Sequence, residues 1–219
     1  MQRGILLTEY RSDARPWTAA DARRGANIVR VAALLRRLHA LAANAPAYGA
    51  ERIARQYLAA LSAGVDARRA LLDSRTQAWA EELLELAGHY DAAHPPSALC
   101  HNDLVAANVL DGDGQVVGGD SGGADGRLVL VDFEYAVRAA PVLDLAGLAG
   151  MNDYGERECR ELLAAYYDGE RAGVSLAQLT QIVRMVLLVA FFWARLGERG
   201  AANSAPYVRL ADELEQRLK

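Results

Sequence analysis

From Asp21 onward, apolar residues recur at three- and four-residue steps: Ile28, Val31, Leu34, Leu35, Leu38 and Leu41. That spacing places them on one side of a helix. Helical spacing continues over 51–63 and roughly 66–90, with Trp79, Leu83, Leu84 and Leu86 on apolar faces. "HPP" (94–96) predicts the end of that run, because proline cannot extend a helix. Short β-like runs follow at 98–100, 108–111 and 127–133. Between the last two lies "GDGQVVGGDSGGADG" (112–126), whose glycines and aspartates predict a long flexible hairpin loop. The remainder reads as helices over about 142–150, 155–168, 176–197 and 205–218. At the start, "GILLTEY" (4–10) is β-like and "RSDARPW" (11–17) reads as a turn or linker. Helices, then a small β patch, then helices predict an α+β fold that is mainly α.

Composition narrows the picture. With 52% hydrophobic residues in 219, one core of ordinary size is expected. A net charge of −4 gives no basic footprint for nucleic acid. The apolar run "MVLLVAFFWA" (185–194) is shorter than the roughly 20 residues that span a bilayer. It is flanked by Arg184 and Arg195, so a buried core helix is expected, with no membrane partner. Cys100 and Cys159 form no Cys-x-x-Cys pair, which supports neither zinc nor a disulfide framework. With no signal-peptide pattern at the start, the expected setting is cytoplasmic.

The chemistry concentrates in "ALCHNDLVAANVL" (98–110) and "RLVLVDF" (127–133). His101 lies two residues before Asp103, Asn108 five after it, and Asp132 closes the later β run. Phosphoryl transfer needs such groups. One carboxylate sits near the attacking hydroxyl and accepts its proton. An amide oxygen and a second carboxylate hold Mg2+, which prefers hard oxygen ligands. The protein-kinase pattern is His-Arg-Asp, four residues, Asn, then Asp-Phe-Gly. Here it is His101-Asn102-Asp103, four residues, Asn108, then Asp132-Phe133-Glu134. His101 is expected to organise the loop through a hydrogen bond. The Gly-rich segment matches no Gly-x-x-x-x-Gly-Lys-Ser/Thr phosphate loop.

"LCHNDLVAANVL" together with "LVLVDFEYA" resembles the choline/ethanolamine kinase branch of the aminoglycoside phosphotransferase-like kinases. "LLRRLHAL" (34–41) is similar to that family's Leu-His helix, and "PVLDLAGLAG" (141–150) to its Phe-Asp-hydrophobic segment. In the latter Leu143 replaces the usual aromatic residue. The resemblance implies a protein kinase-like C-terminal lobe over 15–219 and transfer of the ATP γ-phosphate to a small amino alcohol. It implies Asp103 as the catalytic base, Asn108 and Asp132 as Mg2+ ligands, and Asp144 as a buried brace of the catalytic loop. "LLTEY" looks like the hinge that meets adenine, making Thr8, Glu9 and Tyr10 nucleotide candidates in a hinge-like segment over 1–14. A quaternary ammonium group wants aromatic faces and a carboxylate. Glu134, Tyr135 and Trp193 are the candidates for that substrate role.

The family also has an N-terminal lobe with a covering loop and a strand lysine for the phosphates. Neither is visible in this chain, whose sole lysine is Lys219. Three expectations follow: a chain shortened at its start, a lobe supplied by another polypeptide, or a module that binds without transferring phosphate. Other acceptors, such as an aminoglycoside or thiamine, share the same site chemistry.

Overall fold

The computed structural model describes residues 12, 14–42, 44–63, 74–112, 128–168, 173–200 and 202–219. Thr8, Glu9, Tyr10 and nearly all of the Gly-rich segment therefore lie outside the described residues. Helices dominate the rest: α1 (Ala19–Ala22), α2 (Gly25–His39), α3 (Ala50–Ser62), α4 (Ser74–Ala93), α5 (Val142–Met151), α6 (Glu156–Tyr167), α7 (Leu176–Gly200) and α8 (Ala205–Leu218). Helix α2 stops at His39, so Leu41, placed on its apolar stripe by periodicity, is exposed.

The β patch is two small sheets. Strands β1 (Ala14–Pro16), β3 (Val109–Gly112) and β4 (Leu128–Leu130) pair antiparallel in the order β1-β3-β4. Strands β2 (Ala98–Cys100) and β5 (Val137–Ala139) form the second sheet. Two sequence expectations change here. The linker "RSDARPW" contributes β1, whose Pro16 sits on a sheet edge, where a missing N–H costs no ladder bond. The run 127–133 is strand only over Leu128–Leu130. Its continuation breaks because Asp132 adopts a left-handed conformation (φ 66°) and starts a 3₁₀ turn, Phe133–Tyr135.

Helix α7 is the centre of the core. It packs against α3, α4, α5 and α8 and buries Leu179, Ile182, Met185, Leu188, Phe191 and Phe192. Its 25 residues exceed the ten-residue apolar run, and by length and composition alone it could cross a membrane. Its packing against neighbouring helices includes a polar contact. Arg184, in the first half of the helix, donates from Nε and Nη2 to the Glu82 carboxylate of α4 at 2.8 and 2.9 Å. Helices α5 and α7 close against each other at Gly150, where an added Cβ would touch Val183 Cγ1 at 3.4 Å.

Candidate active site

The loop between β2 and β3 sits on the N-terminal end of α5. Asp144, 1% exposed, lies in the first turn of that helix. Its Oδ2 accepts the His101 backbone N–H and its Oδ1 accepts the Asn102 N–H, each at 2.8 Å. Asn102 is left-handed (φ 62°), a conformation asparagine tolerates better than most residues. That turn lets two successive N–H groups converge on one carboxylate. His39 of α2 meets the same carboxylate, with Nε2 3.0 Å from Oδ2, and its Nδ1 lies 2.7 Å from the Tyr166 hydroxyl. A carboxylate only accepts, so Nε2 bears a proton, and Nδ1 and the Tyr166 hydroxyl share a second hydrogen bond.

His101 is fully buried and links the two chemistry-bearing segments. Its Nε2 donates to the Val131 carbonyl at 2.8 Å, and its Nδ1 accepts the Asp103 N–H at 3.3 Å. Its ring also packs against Phe133 in a tilted arrangement, with centroids 4.5 Å apart. Asp103 is thus held from its own backbone. Asn108 then donates from Nδ2 to both the Asp103 carbonyl and Oδ2, each at 2.9 Å. With the amide nitrogen facing Asp103, the amide oxygen faces away from it. The Val131 N–H donates to the Asn108 carbonyl at 3.0 Å, which brings Asp132 to the same place. Asp103 registers that proximity. Its pKa is raised above the ordinary carboxylate value, first by burial and also by the Asp132 charge, while Asn108 and His101 oppose the rise.

Asp103 opens onto a cavity of about 470 Å3. Glu134, Tyr135 and Trp193 all line it, so these three candidates share one space with Asp103. Tyr57 and Tyr207 line it too. Tyr207 packs on Trp193 with centroids 5.3 Å apart. Burial raises the pKa of Tyr57 and Tyr135, so both phenols are neutral at pH 7 and act as apolar faces with a polar tip. The lining also includes apolar residues of α5 (Leu143, Gly147, Met151) and α7 (Val186, Val189, Ala190).

Sequence reasoning missed Tyr57 and Tyr207. They arrive from α3 and α8, and no spacing along the chain joins them to Asp103. It also missed the role of His39, although the Leu-His helix was singled out. His39, Cys100 and Asp144 lie close enough to resemble a metal site, with ligand atoms within 4.8 Å of one another. Their polar atoms are already engaged. The Cys100 thiol donates to the Ala140 carbonyl at 3.6 Å and, with its pKa raised by burial, stays protonated. This cluster is an internal brace. The hard oxygen donors of Asn108 and Asp132 are the set that fits Mg2+.

A mainly helical lobe, with a braced Asp/Asn loop facing a second aspartate across two small sheets, is the architecture of kinase-like phosphotransferases. The chain belongs to the phosphotransferase enzyme family (APH), which matches residues 3–179. No curated protein matches the sequence. Among solved structures, the choline kinase LicA from Streptococcus pneumoniae aligns with a TM-score of 0.73 at 17% identity. That alignment covers 96% of this chain and 68% of LicA. A choline/ethanolamine kinase family protein from Mesorhizobium loti aligns at 0.71 and 23% identity, covering 96% and 66%. An ethanolamine kinase from Plasmodium vivax aligns at 0.68 and 18%, covering 94% and 62%. Antibiotic phosphotransferases share the fold at TM-scores of 0.55 to 0.57. The chain spans about two thirds of the length of the three kinases.

Proposed function

We propose that the protein is an ATP-dependent small-molecule kinase that phosphorylates the hydroxyl of an ammonium alcohol of the choline or ethanolamine type. One observation supports this above all. Asp103 is hydrogen-bonded to Asn108, lies beside Asp132, and faces the cavity that Glu134, Tyr135 and Trp193 line. A structure of LicA in complex with AMP shares the fold (TM-score 0.71), which favours an adenine nucleotide as donor.

In this reading Asp103 accepts the proton of the acceptor hydroxyl as its oxygen bonds to the γ-phosphorus. The bond from that phosphorus to the β–γ bridging oxygen breaks in line, and ADP leaves. Asn108, through its amide oxygen, and Asp132 would hold Mg2+, which supplies charge neutralisation at the phosphates. His101 and Asp144 position Asp103 rather than exchange protons. Glu134 supplies the counter-charge for the acceptor's ammonium, and Tyr57, Tyr135, Trp193 and Tyr207 offer it ring faces.

The test is ADP release with Mg-ATP and a panel of alcohols: choline, ethanolamine, thiamine and an aminoglycoside. Asp103→Asn is expected to lower turnover by about 10²- to 10⁴-fold with an unchanged circular dichroism spectrum. Full turnover by that variant removes Asp103 from the role of base. A second reading is a module that binds an ammonium ligand in the same cavity without transferring phosphate. Ammonium binding without ADP release by the unmodified chain selects that reading.

A further inference from the structure

We infer that the acceptor is not choline itself but an ammonium alcohol carrying an extended apolar N-substituent, which lies in the chamber beside Gly147. This rests on the ammonium-alcohol reading of the same cavity.

The first observation is length. Leu143, Gly147 and Met151 of α5 are spaced by four and present one face to the cavity. Val186, Val189 and Trp193 of α7 line it as well. Gly150 meets Val183 and Leu187, so the Met151 end of α5 lies by the early part of this stretch of α7. Trp193 lies further along α7, where it packs on Tyr207. From Leu143 to Met151 the lined face runs about 12 Å at about 1.5 Å per residue. Choline, from hydroxyl to farthest methyl, spans four bonds of about 1.5 Å, hence under about 6 Å. The cavity of about 470 Å3 falls in the range of roughly 300–1,000 Å3 that suits larger ligands.

The second observation is polarity. The polar part of the lining comes from Asn102, Asp103, Glu134 and Asp144 and from tyrosine hydroxyls. The rest of the lining is largely apolar and includes Leu143, Met151, Val186, Val189 and Leu210. An apolar chamber of this kind favours apolar occupants over water.

The third observation is Gly147. Glycine is the poorest helix former after proline, so one inside a helix needs a reason. Gly150 has one, since its neighbours on α7 press against it. Gly147 has no such packing reason. It lines the cavity, and a Cβ built there meets nothing within 4 Å. Its backbone is ordinary α-helix, so conformation does not demand glycine either. What the missing side chain leaves is room in the chamber.

The experiment is calorimetric binding of choline and of N-benzyl-N,N-dimethyl-2-hydroxyethylammonium to the chain. The benzyl compound is expected to bind at least about tenfold more tightly, from the apolar area it buries. Gly147→Leu fills the chamber, and the ratio of the two affinities is expected to fall to below about threefold. Gly147→Ala adds one methyl into open space and is expected to give an intermediate ratio; it decides the matter if the leucine variant fails to fold. Equal affinity for the two ligands, or an undiminished ratio in the variants, overturns the inference while leaving the ammonium reading standing. Failure of both ligands to bind the unmodified chain overturns that reading, and this inference with it.

Discussion

His39 Nε2 lies 3.0 Å from Asp144 Oδ2, joining α2 to the helix that holds the Asp103 loop. Both side chains are almost fully buried, and the Asp144 carboxylate also receives two backbone N–H groups. Asp144→Ala strands those donors in the interior. Removing one partner from a buried charged network costs about 3–5 kcal/mol. At roughly 2–4 °C per kcal/mol for a chain of this size, the melting temperature is expected to fall by about 6–20 °C. His39→Ala keeps the two amide bonds and is expected to cost less than Asp144→Ala. Thermal melts of both variants check the order.

Asp103 predicts a pH signature in both rate and stability. Burial and the Asp132 charge raise its pKa above the ordinary 3.8. As a base it works ionised, so turnover is expected to fall with falling pH through a pKa higher than that of a free aspartate. For stability the sign is opposite to that of a salt-bridged carboxylate. Between 3.8 and the raised value the folded state binds more protons than the unfolded state, so rising pH destabilises the fold. Above that window the penalty is complete. Asp103→Asn removes it, and the variant is expected to melt no lower than the unmodified chain at pH 7. The difference should vanish towards about pH 4. A variant that melts lower at pH 7 refutes the assignment.

What the sequence made legible was local. Asp103 and Asn108 are five residues apart in one loop, and Asp132 follows an apolar β run, so their spacing alone suggested the set. Helices α5 to α8 follow apolar periodicity closely. What stayed hidden depends on contacts between distant segments. Strand β1 exists because Ala14 to Pro16 pair with Leu110 to Gly112, nearly a hundred residues on, and its own residues carry no strand signal. Tyr57, Trp193 and Tyr207 meet at the cavity from three different helices. The left-handed turn at Asp132 cut short a strand whose β-branched and apolar run reads as longer.

Tyr207 sits directly against Gly197. A Cβ at position 197 would lie 2.1 Å from Tyr207 Cδ1 and 2.6 Å from its Cγ. Clashes reaching Cγ cannot be relieved by a small swing of the ring tip. Gly197→Ala is therefore expected to expel the ring from its place on Trp193. Alanine raises helix propensity by about 1 kcal/mol, so stability is expected to fall by only a few kcal/mol at most. Ammonium binding should weaken more than stability does, by about tenfold, as one aromatic wall is lost. Calorimetry alongside tryptophan fluorescence tests this, because Trp193 loses its aromatic neighbour.

Asn152 ties the far end of α5 to the Asp103 loop. Its Nδ2 donates to the carbonyls of Leu104 and Leu148, each at 2.8 Å, and the residue is 1% exposed. Leu104 follows Asp103 directly and is itself buried. Asn152→Ala leaves the Leu104 carbonyl without this donor, at a cost of about 1–3 kcal/mol. Turnover is expected to drop with it, since the loop loses an anchor one residue from the base. Asn152→Asp separates the hydrogen bond from the packing. The shape is kept, yet an ionised carboxylate would face two carbonyl oxygens with nothing to donate. Such a group binds its proton more tightly in the fold than in the unfolded chain, so the damage is expected to grow as pH rises. A protonated carboxyl can donate to Leu104, and the variant should melt closer to the unmodified chain at about pH 5 than at about pH 8. Equal losses at both values would show that Asn152 acts through its shape and not through its amide protons.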